Sequence, residues 1–143
     1  MPPLSQNAAA TYRKIDLDAR IEASGDGDLT LICLEEAVAA MRRAHLACRN
    51  GAGRSGRSAG AVSDPLQRAH GIALWLCRGV ADDNPLRHHL IQFYGGIAAQ
   101  IRSNLAQPQP AAMAEILTDL EDLLEAARST QAAQANQNVA KAA

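Results

Sequence analysis

Aromatic side chains are almost missing from this chain: Tyr12, Trp75, Phe93 and Tyr94 are all that it has. A core built without them relies on aliphatic packing, and alanine and leucine supply most of the 48% apolar content. Runs of Val, Ile and Thr are scarce as well, which removes the usual strand signal and leaves helix as the favoured state. Neither sign of charge dominates. The 14 basic and 15 acidic residues give a net charge of -1, without the electrostatic footprint of a nucleic-acid binder. No window approaches the roughly 18 apolar residues of a membrane span, and MPPLSQNAAATYRK at the start holds no apolar core of signal-peptide length. These absences predict a soluble, cytoplasmic chain with no membrane insertion and no nucleic-acid partner. The cysteines, Cys33, Cys48 and Cys77, are odd in number and fall in helical patterns, so they are expected as reduced thiols and not as a disulfide framework.

What is present is helical periodicity, clearest from Glu22 to Cys48. Leu31, Leu34, Val38, Met41, His45 and Cys48 follow the three-and-four spacing of a helix seam. Cys33, Ala37, Ala40, Ala44 and Ala47 follow it on a neighbouring stripe made only of small residues. A bulky seam beside a small one predicts two neighbours, one of them at close approach, either inside a bundle or toward a partner helix.

The 143 residues suit one domain. Residues 1–20 form a polar, proline-led arm, expected to be flexible, whose Tyr12, Ile15 and Leu17 are able to lie on the domain. The first helix is expected from Leu29, capped by Asp28, to Arg49, stopping at Asn50-Gly51. A Gly- and Ser-rich loop over 50–63 follows, and Asp64-Pro65 is expected to open the second helix. The third is expected from Pro85 to Ala106, seamed by Leu86, Leu90, Phe93, Ile97, Ile101 and Leu105. Gly95-Gly96 costs it roughly 2 kcal/mol against alanine, which predicts something packed closely there. Pro110 opens the fourth, seamed by Met113, Leu117, Leu120, Leu124 and Ala127, with an acidic outer face. The Ala-Gln-Asn tail over 129–143 has no large apolar residue and is expected to be disordered. The fold class is therefore all-α: an antiparallel up-down four-helix bundle over 21–128, between an arm and a tail.

Several patterns imitate reactive chemistry. Gly51-Ala52-Gly53-Arg54-Ser55-Gly56 fits a phosphate-binding glycine motif, but that motif needs a strand before it and a helix directly after, and neither is expected here. His45 and Cys48 share a helix face with Leu34, Val38 and Met41, which favours packing over metal binding. His88-His89 sits in a first turn and faces solvent at least in part. No Glu-x-x-His pair occurs, which removes the di-iron carboxylate bundles. Glu35-Glu36 and Glu121-Asp122 are adjacent pairs on solvated helix faces. No nucleophile, base and orienting group assemble, so the chain is expected to be neither an enzyme nor a holder of a cofactor or metal.

With the helices placed, the sequence resembles the FliS family of flagellin export chaperones, from about Tyr12 to Ser129. The similarity rests on Tyr12, on Ala23-Ser24 and an acidic residue before the Leu29-Thr30-Leu31 helix start, and on Ala69, Ile72 and Leu76 within LQRAHGIALWL. It also rests on Phe93-Tyr94-Gly95-Gly96-Ile97, which keeps Tyr94 and Ile97 of the family's Leu-Tyr-Asp-Tyr-Ile signature. The family's Leu-Tyr-Asp-Gly falls on Cys33-Leu34-Glu35-Glu36, where only an acid is kept. The resemblance implies a cytoplasmic chaperone, monomer or homodimer, that binds the C-terminal segment of flagellin, prevents premature polymerisation and supports export, with the export apparatus as a further partner. It points to Leu29, Leu31, Leu34, Tyr94 and Ile97 as partner-binding or groove-shaping residues, and to Tyr12 and Ile15 as an arm over the empty groove. The competing expectation is a helical-bundle adapter that self-associates through the alanine stripe and has no secreted client.

Overall fold

The computed structural model describes residues 26–51 and 59–142. Among them are four helices: α1 (Asp26–Arg49), α2 (Ala59–Arg78), α3 (Arg87–Ala106) and α4 (Pro110–Ala142). They form the antiparallel four-helix bundle that the periodicity predicts. Each helix packs on its neighbours around a ring, most extensively α1 on α2 and least extensively α3 on α4.

Both stripes of α1 are consumed inside the bundle. Leu34, Val38 and Met41 are buried, and so are Cys33, Ala37, Ala40 and Ala44. Ion pairs mark the flanks of the helix. Glu36 meets Arg68 of α2 on one side, while Arg42 meets Glu121 and Glu35 meets Arg128 of α4 on the other. At 100° per residue the small stripe falls toward the Glu36 flank, so small side chains are what let α1 and α2 approach so closely. Of the five residues of this stripe Ala47 alone is partly exposed.

The links between helices follow simple chemistry. Gly51 ends α1 in the left-handed region at φ 77°, a conformation that a residue without Cβ adopts at little cost. Asn84 organises the turn into α3: its side-chain oxygen accepts from the Leu86 N–H at 2.8 Å and its carbonyl from the Arg87 N–H at 3.0 Å. Asn104, 3% exposed, joins α3 to α4 by donating to the Gln100 carbonyl at 2.9 Å and accepting from the Gln109 N–H at 2.9 Å. With both ends of its amide paired, a buried polar side chain becomes a latch.

Four expectations need correction. Helix α2 starts at Ala59, so Pro65 lies inside it instead of opening it. The added turn buries Val62 under the same core as Leu66, and that burial offsets the hydrogen bond that Pro65 lacks. Residues 129–142, expected as a disordered tail, continue α4 as helix. Between Pro110 and Ala142 there is no glycine or proline, and alanine and glutamine are good helix formers, so missing apolar residues cost packing but not helicity. Gly95 and Gly96 are exposed, and a Cβ at either would meet nothing, so no neighbour within the described chain explains the pair. Glu36 is not an ordinary solvated carboxylate: it lies 2.7 Å from Arg68 Nε and 3.7 Å from Arg43 Nη2, in a half-buried cluster between α1 and α2.

Candidate helix-binding groove

The weakest contact in the ring is also the place where the molecule opens. At roughly 1.5 Å per residue, the 33 residues of α4 extend well past the 20 of α3. The two helices are joined at one end through Asn104 and the buried Met113 and Ile116. Toward the other end they part over a groove of about 610 Å³. One wall is Leu86, just before α3, with Leu90 and Tyr94 of α3; the other is Leu123, Ala126, Ala127, Thr130, Gln131 and Ala135 of α4. The floor is the first turns of α1, including Asp28, Thr30, Leu31 and Leu34. The opening follows from side-chain size, because small residues on α4 face the start of α3, where Leu86 is 56% exposed.

A second hollow of about 480 Å³ lies on the other side of the same floor, between α1 and the end of α2. Leu29, Trp75, Leu76, Gly79 and Val80 line it, and it shares Gly27, Thr30, Asn84, Leu90 and Tyr94 with the groove. Trp75 stands 41% exposed as the lip of this hollow.

Tyr94 is the partition between the two. It is 4% exposed, with its ring against Phe93 at a centroid distance of 5.8 Å. Burial pushes its phenol up to about 12, and the Cys33 and Cys77 thiols push in the same direction. Burial also raises the Cys33 thiol, against the opposing pull of the Arg68 charge. These groups are therefore neutral at ordinary pH and serve as packing surface. Cys77 adds a weak contact from its thiol to the Ile91 carbonyl at 3.7 Å, tying α2 to α3.

The structure brings together most of the residues singled out from sequence. Leu31, Leu34 and Tyr94 line the groove, and Leu29 lines the adjoining hollow. Ile97 is buried in the core and lines neither. Tyr12 and Ile15 lie outside the described residues, as does the glycine-rich segment 52–58. The α4 wall was missed, because Ala126, Ala127, Thr130 and Gln131 carry no large apolar side chain to attract notice. Among the described residues, no group of three or more His, Cys, Asp and Glu is placed to hold a metal ion. No described helix is long and apolar enough to cross a membrane. No protein-family model matches the chain, and the search of curated proteins finds no match.

Proposed function

We propose that the chain is a flagellin export chaperone of the FliS type, which holds the C-terminal segment of flagellin as a helix in the α3–α4 groove. One observation carries this reading: Leu31, Leu34 and Tyr94, three residues picked out by resemblance alone, line a single apolar groove between two helices. An amphipathic segment that is disordered by itself buries its apolar face there and gains helical structure as it does so. Ordering the segment opposes binding, so contact has to extend beyond one groove, and the adjoining hollow with its exposed Trp75 supplies further surface. Covering the segment's polymerising face in the cytoplasm needs no covalent step and no nucleotide.

The test is titration of the protein with the C-terminal segment of flagellin. The expected result is a one-to-one complex at micromolar concentration, lost in Ala126→Trp, where an indole fills the groove from an exposed position on its wall. Absence of a complex with the unmodified protein at micromolar concentration rejects the reading.

A further inference from the structure

We propose that Gln131 selects what enters this groove, its side-chain carbonyl accepting a hydrogen bond from a donor on the inward side of the bound helix. The proposal rests on the reading of the groove as a helix-binding site. Its origin is a difference among the polar atoms of the lining. The Thr130 hydroxyl already donates to the Ala126 carbonyl at 3.0 Å. The Asn84 side-chain oxygen already accepts from the Leu86 N–H at 2.8 Å. The Gln131 Oε1 atom is buried and has no hydrogen-bond partner among the described residues.

An amide oxygen in that position has lost its water and gained nothing in exchange. Gln131 follows Ala127 by one helical turn and precedes Ala135 by another, and all three line the groove. It therefore interrupts a small apolar wall in its middle. A helix lying there needs a donor at one position of an otherwise apolar stripe. Leu123, Ala127 and Ala135, its neighbours along the wall, bring no carboxylate, and the one carboxylate among the described lining residues is Asp28 in the first turn of α1. The donor is then the hydroxyl or amide of Ser, Thr, Asn or Gln, or a Lys or Arg whose charge also meets Asp28. A segment with an unbroken leucine stripe leaves the acceptor unpaired and binds less well, which makes Gln131 a filter against purely hydrophobic helices.

Gln131→Met keeps the length and flexibility of the side chain and removes the acceptor. Two measurements read it: the melting temperature of the free protein, and titration with the C-terminal segment of flagellin. The free variant is expected to melt at the same temperature or higher, because an unpaired buried acceptor is gone. The segment is expected to bind it about 3- to 10-fold more weakly, the size of one neutral hydrogen bond. Replacing the segment's Ser, Thr, Asn, Gln, Lys and Arg residues by leucine one at a time should reveal one replacement that erases the difference between Gln131 and Met. A lower melting temperature, unchanged affinity, or no such replacement overturns the proposal. Ala126→Trp separates the two readings. If it blocks binding while Gln131→Met binds normally, the groove stands and the role of Gln131 falls; if it leaves binding intact, both fall.

Discussion

The two ends of this bundle are built on opposite terms. At the end where α3 passes into α4, large side chains meet: Met113 and Ile116 are fully buried, and the Asn104 amide is paired on both sides. At the other end the same two helices face each other with Leu86 exposed, alanines on α4 and one buried acceptor left unpaired. The contrast is one of residue size and polar satisfaction, not of secondary structure, since helix continues through both. A bundle can therefore concentrate its stability at one end and leave the other available for binding.

The comparison is open to attack in several places. The largest effect is expected from Ala44→Glu on the buried small stripe toward the closed end: a charge where α1 meets α2 should cost about 4 kcal/mol or unfold the protein, as read by thermal melting. Melting as cooperative and as hot as the unmodified protein would break the assignment of that stripe to the interior.

Next comes pH. The Tyr94 phenol is raised from 10.0 to about 12, so the folded state favours the protonated form. That stability is fully present below pH 10 and is lost as pH rises through 12, roughly 3 kcal/mol in all. Tyr94→Phe should flatten the alkaline fall in denaturation midpoint between those values. Asn104→Ala should cost about 1–3 kcal/mol in chemical denaturation by opening the latch, and hydrogen exchange should quicken first at the α3–α4 junction.

Smaller effects sharpen the picture from outside the core. Gly95→Ala with Gly96→Ala should stabilise the protein by about 1–2 kcal/mol, because both positions are helical and a Cβ at either meets nothing. Destabilisation would mean that the pair is held against a neighbour after all. Ala126→Trp should change stability by less than about 0.5 kcal/mol, as expected for an exposed position on the open side.

Helix count, order and most seam residues were legible in the sequence because a 3.6-residue period records burial directly. Leu34, Val38, Met41, Ile97 and Leu120 all sit where that period places them, whereas Leu86, expected on the α3 seam, is exposed and Tyr94, outside that seam, is buried. The errors came where burial does not follow side-chain size. Asp64-Pro65 imitates a helix start, yet Val62 upstream has a core to join. Over 129–142 Val139 is the one large apolar residue and it is exposed, so little of the segment packs, yet its alanines and glutamines still form helix. The groove itself was half legible. Its floor and α3 wall carry Leu31, Leu34 and Tyr94, whereas its α4 wall is recognisable only once an alanine surface is seen beside an empty slot. Glu36 and Asn104 were missed for a related reason: the partners that make them structural, Arg68 and Gln109, come from neighbouring segments whose relative placement no local pattern encodes.

The short link from Ala106 to Pro110 has a geometric consequence. It closes one end of the slot, while along its length α3 is held by α2 and α4 by α1. A bulkier occupant therefore widens the slot only by moving a packed pair of helices, and whatever stiffens either pair narrows the range of helices the slot accepts.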